Sequence, residues 1–205
     1  MMKVAIIGAG NVGKALAGTI TRAGHEVTLS ASTPEHAAAA AAESGARAAS
    51  GNAAAARDAE VVILAVPFVG AAEAVAREIA PVVAGKTVVD ATNPLTTDYS
   101  GLATNGTSGA ELVQSWLPDA TVIKAFNTLF AASQAEPDRA VEAFVAGEPG
   151  DSKQQVISLV DAMGFTPFDA GSLSAARYLE AMAYLNISLN AANEWGWTST
   201  WKLER

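Results

Sequence analysis

The stretch KVAIIGAGNVGKALAGTITRAGHEVTLS, Lys3 to Ser30, decides how this chain folds. Val4 to Ile7 is a short apolar run rich in β-branched residues; it is too short for a helix and reads as a buried strand. Gly8, Gly10 and Gly13 follow at once in G-x-G-x-x-G spacing, and Val12, Leu16 and Ile20 then recur at helical spacing. Each glycine has a physical task. Gly8 makes the tight turn, Gly10 lets the backbone approach a pyrophosphate, and Gly13 lets the helix pack on the strand. The start of the helix adds unpaired N–H groups and the positive end of its dipole. Gly24 and His25 end the helix, and Glu26 to Leu29 open a second strand. A glycine motif alone also fits a plain glycine-rich turn. Set strand-to-helix, with a second strand ending about 20 residues on, it marks the whole loop Gly8, Ala9, Gly10, Asn11, Val12 and Gly13 as the cradle of a dinucleotide.

Where the second strand ends, an NAD-binding fold usually carries a carboxylate for the ribose hydroxyls. Here the residues are Ser30, Ala31, Ser32 and Thr33, with no carboxylate before Glu35. The hydroxyls of Ser30, Ser32 and Thr33 tolerate a 2′-phosphate, which favours NADP(H) over NAD, although no arginine stands beside them to pair with it. Thr33-Pro34-Glu35 also reads as a helix start with Thr33 as its cap, and Ala37 to Ala42 continues as helix.

Outward from this unit, strand and helix alternate. Asn52 to Arg57 reads as a short helix and Ala59 to Val66 as a strand buried on both faces. It stops at Val66-Pro67-Phe68, where a strand's carboxyl end faces the ligand crevice. A helix over Val69 to Val83 is broken by Gly85, and the next strand, Thr87 to Ala91, delivers Thr92, Asn93 and Pro94 to the same edge. Thr96 to Gly109 is polar and aperiodic, a length of loop that is more often a functional flap than filler. After a helix at Ala110 to Trp116, the strand Ala120 to Ala125 brings Phe126, Asn127 and Thr128 to that edge. Val141 to Ala146 and Phe165 to Asp169 are further strands around a helix at Ser152 to Met163. The fold class is α/β: a doubly wound parallel sheet of Rossmann type, residues 1–170, with a C-terminal helix and aromatic tail, residues 171–205, in the same compact unit.

In the last helix, Ser172 or Ser174 is the expected N-cap, and Tyr178, Met182, Leu185 and Leu189 form an apolar stripe beside a polar line of Asn186, Asn190 and Asn193. Trp195, Trp197 and Trp201 follow. Such aromatics need cover, from the chain's own core or a second subunit, or else they wall a substrate pocket.

The chain has 205 residues, half of them apolar, with a net charge of −8 and no cysteine. That charge argues against nucleic acid or an anionic membrane as partner. Disulfides and thiol catalysis are excluded, and two histidines without clustered carboxylates make a metal site unexpected. No apolar run is long enough to span a bilayer, and the N-terminus enters a strand without a secretory pattern, so the expectation is a cytoplasmic protein. No Ser/His/Asp or paired-carboxylate constellation is present, and His25 and His36 read as structural or solvated.

At Asp169 to Glu180, DAGSLSAARYLE, the chain resembles the NADP-dependent deazaflavin oxidoreductases, which act on coenzyme F-420. They share its length and order of motifs: an N-terminal GxGxxG, a strand ending in x-Pro-aromatic (here Val66-Pro67-Phe68), and DAGxLxxxRxxE before the last helix. The segment IKAFNTL, Ile123 to Leu129, is also similar to the cytosolic oxidoreductase domain of six-transmembrane ferric reductases, a related group. The family commonly reads Gly-Ser-Arg after its second strand, where this chain has Ser30-Ala31-Ser32.

The resemblance implies direct hydride transfer between stacked rings, with NADP(H) as cofactor and a deazaflavin or FMN as small-molecule substrate, and with no catalytic side chain and no metal. Phe68, Asn93, Pro94, Phe126 and Asn127 are the expected surroundings of the nicotinamide, and Lys124 reads as structural or as a contact for an anionic tail. The family also implies a homodimer built on the last helix. Two other readings remain open at this point: reduction of ferric chelates through a bound flavin, and a redox-sensing module that binds NADPH without catalysis.

Overall fold

The computed structural model describes residues 1–204. Eight strands form one sheet in the order β3-β2-β1-β4-β5-β6-β7-β8. The first half comprises β1 (Lys3–Ile7), α1 (Asn11–Arg22), β2 (Glu26–Ser30), α2 (Pro34–Ser44), the two-residue β3 (Arg47–Ala48) and α3 (Asn52–Arg57). Then come β4 (Val61–Leu64), α4 (Glu73–Ile79), β5 (Thr87–Asp90), α5 (Gly109–Trp116) and β6 (Thr121–Ala125). The chain finishes with α6 (Ala131–Ala135), β7 (Glu142–Ala146), α7 (Asp151–Ala162), β8 (Thr166–Asp169) and α8 (Ala176–Asn193).

Alternation along each strand divides the core in two. Val4 and Ile6 of β1 face one layer with Leu16 and Ile20 of α1 and Val156 and Leu159 of α7. Ala5 and Ile7 face the other, with Ala55 of α3, Ile79 of α4 and Val113 of α5. Both faces are thus covered, the condition under which a parallel sheet is stable. The order reverses between β1 and β4, and crevices at such switch points, outside the carboxyl ends of the strands, are where this architecture binds ligands.

Three expectations are corrected. The sheet is doubly wound but not wholly parallel, because β7 pairs antiparallel with β6. A parallel return would carry the chain back across the sheet. The helix available, α6, is five residues long and docked on α1, where Thr19 Oγ1 donates to the Gln134 carbonyl at 2.7 Å. The helix expected from Val69 begins instead at Glu73, since Val69 has an extended ψ of 124° and Gly70 a φ of +90°.

On α8 most of the apolar stripe lies outside this chain's own core. The buried residues of the helix include Leu179, Glu180, Ala183, Asn186 and Asn190, while Tyr178 is 73% exposed, Leu185 49% and Leu189 37%. Asn186 and Asn190 turn inward because the tail brings them a partner. Asn190 Nδ2 donates to Ser199 Oγ at 2.6 Å, and Ser199 Oγ donates to Asn186 Oδ1 at 2.6 Å. Ser172 stands at the N-cap position of a 3-10 turn, Leu173–Ala175, that leads directly into α8, but its hydroxyl bonds that of Ser174 rather than a backbone N–H, and Ser174 lies within the turn. Trp201 packs against the cluster of Phe144 and Leu179, and the Leu203 N–H bonds Glu142. Among the described residues no helix is long and apolar enough to cross a membrane.

Candidate functional site

The glycine loop follows β1. At Gly8, φ is +115° and an added Cβ would run into the Ala65 carbonyl at the end of β4. At Gly13 an added Cβ would strike the carbonyl of Gly8, so α1 lies too close to the loop for any side chain there. Gly10 differs: a Cβ there meets nothing within 4 Å. Its extended backbone precedes α1, whose N-terminus has no side-chain cap and no acidic residue in its first turn. Two glycines are thus required by the fold, and the third leaves open space over a helix end that favours anions.

Ser30 is fully buried, with its hydroxyl donating to Asn52 Oδ1 at 2.8 Å. The exposed hydroxyl-bearing residues of this loop are Ser32 and Thr33, and Thr33 Oγ1 also caps α2 by accepting from the His36 N–H at 3.2 Å.

A pocket of about 500 Å³ opens where α1 begins. Asn11 and Val12 form one side, Asn93 and the segment 127–132 a second, and Ala183, Asn186, Ile187 of α8 with Trp197 of the tail a third. The amides of Asn93 and Asn127 lock the ends of β5 and β6 together. Asn93 Nδ2 donates to the Asn127 carbonyl and Asn127 Nδ2 to Asn93 Oδ1, both at 3.0 Å. Asn127 Nδ2 also reaches the Leu179 carbonyl of α8 at 3.0 Å. Trp197 stands edge-on to Phe130, with ring centroids 5.5 Å apart.

The loop behind this wall is held in an unusual conformation. Phe126 has φ +67°, costly for a bulky residue, and Gln134 Nε2 fixes it by bonding the Phe126 and Leu129 carbonyls at 3.0 Å each. Among the described residues, Asn127 Oδ1, Thr128 Oγ1 and Gln134 Oε1 find no hydrogen-bond partner in their buried positions. Strain and unpaired polar atoms gathered in one segment are typical of binding sites.

Of the residues expected around the crevice, Asn11, Val12, Asn93 and Asn127 meet in the pocket. Phe126 does not, since its positive φ sends the ring into the core, where it is 0% exposed. Phe68 lies elsewhere, stacked on Trp116 at 5.8 Å. Pro94 is buried, its carbonyl accepting from the Ala103 N–H. Val66 lies beside Gly8 and Pro67 is exposed at the end of β4. Thr128, brought to this edge by β6, also lines the pocket, while Phe130, Asn186 and Ile187 line it without having been expected there. The signal for Asn186 was present, as an asparagine line on α8, but the burial that gives it meaning depends on Ser199.

Of the two readings of Lys124, structural residue or contact for an anionic tail, its surroundings fit the first. It is fully buried, and its ammonium donates to Asp90 at 2.9 Å, to Glu180 at 2.8 Å and to the Thr92 carbonyl at 2.7 Å. Burial works against its charge, but the two carboxylates outweigh burial and raise its pKa. Glu180 also accepts the Gly109 and Ala110 N–H groups at the start of α5. Other DAGxLxxxRxxE residues are structural as well: Asp169 of β8 pairs with Lys153 of α7, Leu173 is buried, and Arg177 of α8 grips Glu111 of α5 with bonds of 2.8 and 2.6 Å.

The Arg177 guanidinium and the Ser108 hydroxyl and N–H hold Glu111 at about 2, below its ordinary 4.5. A carboxyl lowered by folding contributes stability that is present above its unfolded pKa and lost as pH falls toward the folded value. Stability should therefore decline between about pH 4.5 and 2 partly through this pair. Arg177→Gln should flatten that part of the profile in denaturant titrations at several pH values; an unchanged slope would show that the pair does not contribute.

Residues 3–94 match the model of the family described as NADP oxidoreductase, coenzyme F420-dependent. The chain is 43% identical over 101 residues to metalloreductase STEAP3 of Rattus norvegicus, a match covering 48% of this chain and 20% of that protein. It thus spans about a fifth of that relative. Among solved structures, a candidate F420-dependent NADP-reductase from an Arthrobacter species superposes with a TM-score of 0.90 at 28% identity, covering 100% of both chains. A hypothetical protein from Sinorhizobium meliloti is 34% identical with a TM-score of 0.77, covering 86% of this chain and 88% of that one.

Proposed function

We propose, from the match of residues 3–94 to the model of the coenzyme F420-dependent NADP oxidoreductases, that the chain is an NADPH-dependent reductase acting on a planar deazaflavin or flavin ring. The observation that carries this reading is continuity: Asn11 and Val12 follow Gly10 directly and also line the pocket. A dinucleotide laid on the loop therefore ends at the pocket wall. The fit rests on the open space over Gly10 and the uncapped start of α1. The backbone of Gly10 to Val12 would hold the pyrophosphate, Ser32 and Thr33 the 2′-phosphate, and Asn93 and Asn127 the nicotinamide end.

Bound NADPH supplies the chemistry, a hydride from C4 of its reduced ring. The chain supplies alignment and dryness. The paired amides of Asn93 and Asn127 fix the wall, and Ala183, Ile187 and Trp197 keep water out of the opposite side. Among the described residues, no titratable side chain lines the pocket, as suits a transfer that needs no side-chain acid or base.

The likeness to a metalloreductase supports a second acceptor, a ferric chelate reduced through the same flavin. An anaerobic screen with NADPH separates the two. Oxidation of NADPH by deazaflavin or FMN is expected, with ferric chelate reduced only when flavin is added; chelate reduction without any flavin would overturn the ring-acceptor reading.

With Ser30 buried, two hydroxyls remain for the 2′-phosphate. NADPH should bind more tightly than NADH by about 1–2 kcal/mol, roughly 5- to 30-fold. Ser32→Arg should widen the gap, and equal affinities in calorimetry would contradict the assignment.

The exposed face of α8 is the proposed homodimer contact, since Tyr178, Leu185 and Leu189 leave a contiguous apolar strip in water. Light scattering should give twice the chain mass, and Leu185→Glu should halve it. A monomeric parent protein would refute this contact.

A further inference from the structure

Among the described residues no charged side chain lines the pocket beside α8. The surface next to it differs. A depression of about 290 Å³ runs along α1 and shares Asn11 and Ala131 with the pocket, so the two are continuous. Its cations are Lys14 and Arg22, and the small residues Ala15, Gly18 and Ala135 keep the space between them open. The spacing of Asn11, Lys14, Gly18 and Arg22 puts all four on one stripe of the helix.

Both cations are available to an anion. Lys14 pairs with Glu43 at 3.0 Å, but the two side chains are 39% and 63% exposed, and an ion pair so open to water contributes little. Arg22 has no carboxylate partner among the described residues. Its Nη2 donates to Thr19 Oγ1 at 2.8 Å and to the Ala135 carbonyl at 2.6 Å, which fixes the guanidinium. Nη1 lies over Gly18, where an added Cβ would stand 3.2 Å from it. A guanidinium held by one nitrogen keeps donors on the others for a phosphate or carboxylate.

Resting on the reading of the pocket as a ring-acceptor site, we infer that the depression along α1 is the subsite for an anionic tail on the acceptor, a phosphate or carboxylate carried beyond the ring. Lys14 stands about 4.5 Å along the helix axis from Asn11, and Gly18 about 10 Å. A tail leaving the pocket past Asn11 therefore meets Lys14 first and the Arg22 guanidinium next. The net charge of −8 repels anions in general, so the tail gains affinity from the cations it touches and not from the field of the whole chain.

The probes are riboflavin, whose side chain is neutral, and FMN, which differs from it by one phosphate. Calorimetry at low salt should give FMN an advantage of about three- to tenfold, and the advantage should shrink in about 0.5 M salt. Lys14→Ala and Arg22→Gln should each narrow it, and the double variant should abolish it, with riboflavin affinity unchanged throughout. Glu43→Gln, which releases Lys14, should widen it by about twofold. Equal affinities of the two flavins in the parent protein would overturn the inference and leave the ring-acceptor reading standing. A loss of riboflavin affinity matching that of FMN in the variants would also overturn it, since the cations would then be supports of the pocket wall. Lys14→Ala weakening NADPH as much as FMN is a third contrary result, because the anion held there would be the cofactor's own phosphate. Failure of both flavins to bind a protein that binds NADPH would overturn the ring-acceptor reading and the inference together.

Discussion

Gly10→Val should leave the fold intact and reduce NADPH affinity by about a hundredfold or more, whereas Gly13→Ala should prevent stable folding. The contrast follows from what each side chain would meet. Above Gly10 there is only open space, so the valine costs the empty protein little; with ligand bound it would occupy the position of the pyrophosphate. At Gly13 even a methyl group collides with the Gly8 carbonyl, a backbone atom that cannot swing aside. Relief would require α1 to move off β1, opening the layer packed by Leu16 and Ile20. Thermal unfolding and calorimetry on the two variants read both halves. A Gly10→Val protein that binds NADPH like the parent would remove the loop from the cofactor site.

Lys124→Met should destabilise the protein by about 3–5 kcal/mol, because it strands Asp90 and Glu180 as buried charges without their cation. For a chain of this size that corresponds to a fall in Tm of roughly 10 °C. The sign of the pH dependence is diagnostic. Stranded carboxyls have folded pKa values above their unfolded ones, so their penalty is largest at neutral pH and fades as pH falls through those values. The variant should therefore recover relative to the parent protein on mild acidification, and adding Glu180→Gln should cost less than its effect alone. If Lys124→Met lost stability equally at all pH values, packing rather than charge would be the function of this lysine. Because Lys124 also holds the Thr92 carbonyl, next to Asn93, and Glu180 anchors α8, the same variant should loosen the pocket wall.

Much of this architecture was legible because its signals are local. Gly8, Gly10 and Gly13 mark a strand-turn-helix unit whatever lies around them, and the strands at Val61 and Thr87 announce themselves as apolar runs. Direction is not local. Periodicity in Glu142 to Ala146 says strand but cannot say antiparallel, which depended on α6 docking to α1. The stripe of Tyr178, Leu185 and Leu189 was visible, yet amphipathicity does not say which face the protein buries. That was decided by Ser199, which lies beyond the helix end and returns to Asn186 only because the tail folds back. Phe126 and Phe68 sit at strand ends as expected, but a residue at a strand end enters the crevice only if its backbone aims it there. The left-handed backbone of Phe126 turns it into the core, and Phe68 stacks on Trp116.

The proposed reaction is tested most directly by following the transferred atom. NADPH carrying deuterium at C4, prepared separately on each face of the ring, would be oxidised anaerobically with a deazaflavin acceptor, and the reduced product examined by mass spectrometry. A hydride delivered to the ring carbon of a deazaflavin forms a C–H bond that does not exchange with water. One of the two labelled cofactors should therefore yield a product heavier by one deuterium, and the other an unlabelled product. Turnover in which neither label reaches the acceptor would contradict direct hydride transfer across this pocket.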